Sequence, residues 1–387
     1  MPVFKHREKL SPRYIPDKLP HRERELGFLV KFFKDLMPGS GSPAYTGVVQ
    51  LQGAPGLGKT SVAVNAARFL VREASERGIN LHHVHLNLGL EAAPGSKFVF
   101  YSRLAAKVDP HLVSRSISPE ELLMSMLNYL KRKNLYLFVV IDEVDYYVKK
   151  TGGRADLIFE LTRLDEVSPG EPSNVVGMVF IARDSKWRSK LDPAARSSLG
   201  NVILDFAPYT PSHLFDIISY RVSLAFREGA VSNEVLEYVV DITYNHARSD
   251  VRFALDILSY AGTLAENEGS SRVTLDHIRE AVRRYEPPLT SEDIEALSDE
   301  ERLVLLAVAR ALSSSKTPYV GIEEIWSEYS SLYEVRKRRA RRKKFFEALH
   351  SLYSRGIVNT KGVMVEIPGV PVERLRHFLE SIVERLS

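Results

Sequence analysis

An apolar run, a glycine-rich loop and a helical stretch follow one another without a break from Val49 to Arg72, and nothing else constrains the chain as much. The loop reads Gly53-Ala54-Pro55-Gly56-Leu57-Gly58-Lys59-Thr60-Ser61, the pattern G-x-x-x-x-G-K-T between a strand and a helix. Glycines let backbone N–H groups close around phosphate oxygens, and the following helix turns its positive N-terminus toward the same anion. Lys59 is then placed to reach the β- and γ-phosphates, and the Thr60 hydroxyl to ligate Mg²⁺. The residues from Gly53 to Ser61 are candidate nucleotide contacts, with ATP or ADP and Mg²⁺ as the expected cofactors.

The second half of such a site lies downstream. Leu135-Tyr136-Leu137-Phe138-Val139-Val140-Ile141 is a continuous apolar run, the signature of a strand buried on both faces of a parallel sheet. It ends in Asp142-Glu143-Val144-Asp145, where α/β sheets bind their ligands. Asp142 is the candidate for holding Mg²⁺, and Glu143 for polarising the water that attacks the γ-phosphate.

Length and composition set the frame. The 387 residues allow two or three domains, and 44% apolar with 26% charged residues is the balance of a soluble globular protein. No apolar stretch approaches the roughly 20 residues needed to cross a bilayer, so no membrane partner is expected. The start, Met1-Pro2-Val3-Phe4-Lys5-His6, lacks the apolar core of a signal peptide. The absence of cysteine excludes disulfides, thiolate metal sites and cysteine nucleophiles. A cytoplasmic, nucleoid-associated location is the expectation. His82, His83 and His85 resemble a metal cluster, but only His83 and His85 share a strand face and no carboxylate stands at matching spacing. Tyr146, Tyr147 and Trp187 are expected to pack at the sheet edge.

Along the chain, a block at 1–210 alternates strands and helices. Its expected strands are Thr46–Leu51, Leu81–Asn87, Tyr136–Ile141, Val176–Ala182 and Val202–Phe206, a pattern that predicts a doubly wound parallel sheet. Residues 211–285 show only helical periodicity. Glu286-Pro287-Pro288 opens a linker at 286–292, because two prolines cannot continue a helix. Residues 293–387 then read helix, helix, helix, hairpin across Lys361-Gly362, and helix, which is the order of a winged helix-turn-helix.

Charge is concentrated in this last block. Between residues 334 and 361 ten cations face only Glu334 and Glu347, a net of +8, which leaves −4 for the remainder of a chain whose total is +4. The cations include Arg336, Lys337, Arg338, Arg339, Arg341, Arg342, Lys343, Lys344 and Lys361, all candidate DNA contacts. They run into Phe345, Phe346, Leu349, Leu352 and Tyr353, spaced as one apolar helix face. This is the third helix, the element that enters the major groove in helix-turn-helix proteins. Most of these cations are expected to meet phosphates, giving affinity rather than base choice.

Several separate stretches, spread over nearly the whole chain, resemble one family: the archaeal replication initiators, AAA+ ATPases related to both the eukaryotic origin recognition complex and its helicase-loading partner. They are Tyr14–Glu23 (with Pro20-His21-Arg22-Glu23), Gly53–Thr60, Ile141–Asp145, Leu191-Asp192-Pro193-Ala194-Ala195-Arg196-Ser197-Ser198-Leu199 and Asp250-Val251-Arg252-Phe253-Ala254-Leu255-Asp256. The resemblance implies an α/β AAA+ P-loop parallel sheet (αβα) with a helical lid, followed by a C-terminal winged-helix domain. It implies adenine contacts at Ile15, Pro16, His21, Arg22 and Tyr220. Arg252, in the second sensor, would reach the phosphates, and Arg196 would be a finger toward a neighbouring protomer's γ-phosphate. Ala194 stands where the family usually carries another basic residue. Arg183 follows the fourth strand where the family typically has Asn to orient the attacking water; arginine cannot accept a hydrogen bond. Either Asp184 substitutes or hydrolysis is slow, and slow hydrolysis with retained nucleotide is the expectation. The family also inserts a DNA-touching helix between its second strand and acidic motif, here about 91–125 with Lys97, Arg103, Lys107 and Arg115.

The resulting expectation is an ATP-dependent initiator that binds duplex DNA at replication origins and assists helicase loading. Its partners would be duplex DNA, other initiator protomers and the replicative helicase. A nucleotide-gated signalling or transcription-regulating switch is the alternative, its winged helix an interaction domain. A motor or clamp-loading ATPase would need fast turnover and a secure finger.

Overall fold

The computed structural model describes residues 2–39, 45–89, 96–113, 117–153, 156–167, 173–284, 293–294, 296–315, 317–335, 339–368 and 370–385. These fall into two compact units. One comprises Ile15–His213 with Arg248–Asp250, the other Met1–Tyr14, Leu214–Ala247 and Val251–Ser387.

The first unit is α/β. Its elements are α1 (Glu23–Lys34), β1 (Gly47–Gln52), α2 (Lys59–Glu76), β2 (Asn80–Asn87), α3 (Lys97–Val108), α4 (Pro119–Arg132), β3 (Leu135–Asp142), α5 (Val144–Lys150), α6 (Asp156–Leu161), α7 (Leu164–Val167), β4 (Val175–Ala182), α8 (Pro193–Ser198) and β5 (Ile203–Asp205). The strands form one parallel sheet in the order β2-β3-β4-β1-β5. Each expected strand is present within a residue or two. Every residue of β4 is buried, and all of β3 except Tyr136, as the unbroken apolar runs required of strands covered on both faces. Trp187 and Tyr147 are buried in this core, whereas Tyr146 is 40% exposed. Polar signals set helix starts: Ser118 and Glu121 close a capping box on α4, and the Asp192 side chain accepts from the Ala195 amide at the start of α8.

The second unit begins with residues 2–14, which the sequence reading counted with the α/β block. They run against the helices α9 (Pro211–Ala225) and α11 (Val251–Asn267), and the unit also holds α10 (Asn233–Asn245) and α12 (Leu275–Val282). The Phe4 ring packs at a tilt on Phe226, centroids 4.8 Å apart, and buried Arg221 donates to the carbonyls of Lys9 (2.9 Å) and Ser11 (3.0 Å). The expected linker at 286–292 lies outside the described residues. Beyond it come α13 (Asp299–Ser315), β6 (Val320–Gly321), α14 (Ile322–Val335), α15 (Arg342–Ser354), β7 (Asn359–Lys361), β8 (Met364–Glu366) and α16 (Val372–Arg385). The three strands pair in the order β6-β8-β7, antiparallel. This is a winged helix whose own core includes Val304, Tyr329, Phe345, Leu352, Val365 and Leu379. The two-residue β6 is too short to leave a periodic signal in the sequence.

Candidate nucleotide site and nucleic-acid interface

Strand β1 ends against the loop it was expected to feed. Gly53 takes φ 146°, and a Cβ there would lie 2.6 Å from the Phe206 carbonyl oxygen, so no other residue fits. Gly58 is left-handed at φ 86° and caps α2 without any side chain. No acidic residue occupies the first turn of that helix, so its N-terminal amides face the loop unopposed. Lys59 is buried, and its ammonium donates to the carbonyls of Gly53 (2.6 Å) and Ala54 (2.7 Å). Ser61 follows within the first turn of α2.

The acidic motif meets this loop across the strand ends. The Thr60 hydroxyl donates to Asp142 Oδ2 at 2.6 Å, and the Glu143 amide to Asp142 Oδ1 at 2.8 Å. Burial pushes the Asp142 carboxyl up, but His85, the Thr60 hydroxyl and the Glu143 amide outweigh it and hold the group below the usual carboxylate range. His85 Nε2 stands 3.7 Å from Asp142 Oδ2, beyond hydrogen-bond reach, so its influence is electrostatic. A hydroxyl and an ionised carboxylate in contact are the hard oxygen donors that Mg²⁺ prefers. Glu143 has left-handed backbone (φ 59°), and its carboxylate is ion-paired to Arg183.

The N-terminal residues of this unit brace the loop. Arg22 is buried: Nε donates to the Leu57 carbonyl (3.0 Å) and to the Tyr209 hydroxyl (3.0 Å), Nη2 to the Ala207 carbonyl (2.9 Å), and Nη1 pairs with Glu25 (2.9 Å). Its guanidinium also lies over the Phe206 and Tyr209 rings. Here Arg22 is held by protein groups on every side, a loop support rather than an open face for a base. Pro16 is buried with its carbonyl accepting from Asn65 (2.8 Å), and Arg68 donates to the Ile15 carbonyl at 3.4 Å. His21 stacks on His213 at 4.0 Å. Tyr220 is half-buried on α9 and, with Arg252 on α11, belongs to the second unit.

Tyr209 and Asp250 belong to the site although sequence reasoning did not single them out. The Tyr209 hydroxyl donates to the Leu57 carbonyl at 3.0 Å, and a Cβ on Gly56 would lie 1.8 Å from Asp250 Oδ1. Tyr209 follows a short strand with no motif around it. Asp250 was visible only as the first letter of the second-sensor match. Arg196 is exposed on α8, with its guanidinium donating to the carbonyls of Arg188 (3.1 Å), Ser189 (3.2 Å) and Leu191 (3.0 Å). In the expected DNA-touching insertion, Lys97 pairs with Glu160, Lys107 donates to the His85 carbonyl at 2.7 Å, Arg103 is exposed on α3, and Arg115 lies outside the described residues.

The winged helix divides the basic run. Arg336, Lys337 and Arg338 lie outside the described residues. Arg339 and Arg341 precede α15, and only Arg342, Lys343 and Lys344 are on it. Arg339, Arg341 and Lys344 line an open cleft of about 670 Å³ with Tyr333 and Ala340. Arg342 pairs with Glu323 at 2.8 Å and lies over Trp326, while Lys344 stands 3.8 Å from Glu300. The single apolar face expected for this helix is corrected. Phe345, Leu349 and Leu352 are buried, but Phe346 (45%) and Tyr353 (49%) are exposed, because one step of a helix turns about 100° and carries Phe346 away from Phe345. Lys361 is on the wing, paired with Asp241 of α10 at 2.8 Å.

A phosphate loop on a β2-β3-β4-β1-β5 parallel sheet, a helical unit and a winged helix together define an AAA+ ATPase carrying a nucleic-acid-binding type of domain. Residues 215–283 match the Cdc6 AAA+ ATPase-type lid domain. An ORC1-type DNA replication protein 2 from Saccharolobus solfataricus is 33% identical over 370 residues, covering 93% of this chain and 86% of that protein. The chain belongs to the ORC1-type DNA replication proteins. Its fold is similar to Cdc6p from Pyrobaculum aerophilum, with a TM-score of 0.79 at 24% identity over 99% of both chains. It is also similar to the Aeropyrum pernix ORC1 protein solved in complex with DNA, with a TM-score of 0.64 at 28% identity, covering 100% of this chain and 99% of that one. An ORC2 protein from Aeropyrum pernix solved in ADPNP–ADP complexes has a TM-score of 0.66 at 23% identity, covering 99% of each chain.

Proposed function

We propose that the chain is an ATP-dependent replication initiator that grips duplex DNA at origins through α15 and its preceding basic segment, hydrolyses ATP slowly, and acts with further protomers and a replicative helicase. The observation that carries the DNA half is the placement of Arg339, Arg341 and Lys344 around one open cleft at the N-terminus of α15. A helix N-terminus already carries positive potential, and added cations raise it further. Such an end favours phosphate, and a duplex supplies phosphates at regular spacing. The exposed Phe346 and Tyr353 lie on the outward side of the same helix, where apolar contact with sugars and bases is available.

In the nucleotide half, the Lys59 ammonium and the backbone N–H groups of the Gly53–Ser61 loop other than Pro55 bind the phosphates, with Ile15, Pro16, His21 and Tyr220 assigned to the adenine side. Thr60 and Asp142 would hold Mg²⁺, which neutralises phosphate charge when bound. Glu143 accepts the proton of the attacking water, while Arg252 reports the phosphate state and Arg196 serves a neighbouring protomer. The insertion at about 91–125 is assigned a second DNA contact through Arg103.

The test is binding of the full chain to duplex fragments of its own genome at two salt concentrations, with ATP, ADP and no nucleotide. Salt-sensitive capture of a few intergenic fragments supports the reading. No duplex binding in any state overturns it in favour of a switch whose winged helix binds protein.

A further inference from the structure

Arg183 and Glu143 occupy matching places in the sheet. Glu143 directly follows β3 and Arg183 directly follows β4, and the two strands run side by side in parallel, with Ile141 level with Phe180. Their side chains meet as an ion pair through Glu143 Oε1. The other carboxylate oxygen has little freedom: a Cβ on Gly89 would lie 2.1 Å from Oε2. The Gly89 amide is itself held by Asn87 Oδ1 at 2.8 Å. The segment bearing Arg183 is fixed as well. The Asp184 amide donates to Asp145 Oδ2 at 3.2 Å, and the Asp184 carboxylate pairs with Lys190 at 2.8 Å. The pair is thus set by backbone anchors on both sides.

From this geometry we infer that Arg183 is a positioning residue that acts as a brake on Glu143, the group assigned above to accept the water's proton. The inference rests on that assignment and deepens it. The ion pair holds the carboxylate in one orientation, so its oxygen is turned to the guanidinium instead of to water. Arg183 has five donors and no acceptor, so it cannot take over the water itself. The Arg183 side chain is 49% exposed and that of Glu143 19%, so the guanidinium lies at the open end of the pair. It also lines an open cleft of about 590 Å³ beside Lys149 and Lys190, which gives it room to swing off Glu143. Slow turnover is then a property of one side-chain pair and not of a defective phosphate loop.

The experiment compares wild type, Arg183→Asn, Arg183→Lys and the double variant Arg183→Asn/Glu143→Gln, all as full chains. Initial rates over an ATP titration are paired with nucleotide affinity from fluorescent-ATP binding. Freeing the carboxylate to face water restores general-base assistance, so Arg183→Asn is expected to raise kcat about tenfold or more. KM and ATP affinity stay unchanged, so the gain lies in kcat alone. Arg183→Lys, which keeps a cation, remains slow, and the double variant is inactive. An Arg183→Asn protein that binds ATP normally and turns over no faster than wild type overturns the inference. So does a faster variant whose gain survives Glu143→Gln. A wild-type chain that fails to bind ATP would instead overturn the ATPase reading itself, so the two failures are separable.

Discussion

Lys361 of the wing and Asp241 of α10 form an ion pair at 2.8 Å, and Asp241 also accepts from the Tyr319 hydroxyl. The wing cation therefore has an internal partner. Lys361→Ala is expected to change duplex affinity less than about twofold, and the salt slope by well under the one unit of a full phosphate contact. Asp241→Ala, which frees the ammonium, steepens that slope by up to about one. Anisotropy titrations over a salt series read both. A loss for Lys361→Ala as large as for a cation of the α15 cleft would place the wing in the DNA interface.

Around α15 the expectation is larger. Replacing Arg339, Arg341 and Lys344 by Gln together flattens the log–log salt slope by about two to three units and weakens all duplex sequences alike. Unchanged slope would remove this cleft from the interface. Phe345→Ala is the contrasting variant. The ring is fully buried against Trp326 and Tyr329, and its truncation is expected to lower winged-helix stability by about 3–5 kcal/mol, read as an earlier urea transition.

The Phe345 and Phe346 pair shows where the sequence was legible and where it was not. Unbroken apolar runs announced β3 and β4, because a strand covered on both faces has no polar positions to offer. The phosphate loop was legible because its glycine positions are fixed by backbone approach, as at Gly53 against Phe206. Neighbours on a helix are different: one residue's offset decides core or surface, and only the fold shows that Phe346 faces out. Long-range partners left still less trace. Nothing local to Arg22 forecasts its hydrogen bonds to Leu57 and Ala207, and nothing in Arg183 alone forecasts Glu143. Residues 2–14 were misplaced for the same reason, since their attachment is set by Arg221 and Phe226 far along the chain.

Lys59 gives a prediction that separates nucleotide binding from DNA binding. Its ammonium reaches the loop carbonyls of Gly53 and Ala54, the place from which it would turn to phosphate. ATP at a hundred times its Kd stabilises a binding protein by about 2.7 kcal/mol, which raises the melting temperature by several degrees. Lys59→Ala is expected to abolish that rise while leaving the nucleotide-free salt slope on duplex DNA unchanged. A variant that keeps the full ATP-dependent rise would show that the phosphates bind without Lys59.

Acid stability of the winged helix is expected to hinge on Glu301. Its carboxylate accepts from the Ser298 amide (2.7 Å) and hydroxyl (2.8 Å) at the start of α13, and from the Ser351 hydroxyl of α15 (2.6 Å). Burial pushes this carboxyl up, but Ser351, Ser298 and the nearby Arg355 outweigh it and hold it below its ordinary value of 4.5. The folded form thus binds the proton less readily than the unfolded one. The stabilisation is fully present above about 4.5 and is lost as pH falls through the lower folded-state value. Glu301→Gln keeps one acceptor oxygen but not the charge, so it is expected to lower stability by about 1–2 kcal/mol at neutral pH. Its deficit against wild type narrows on acidification. Urea midpoints from pH 7 down to pH 3 measure this, and a deficit that stays constant over the whole range would show that the Glu301 charge contributes nothing to the fold.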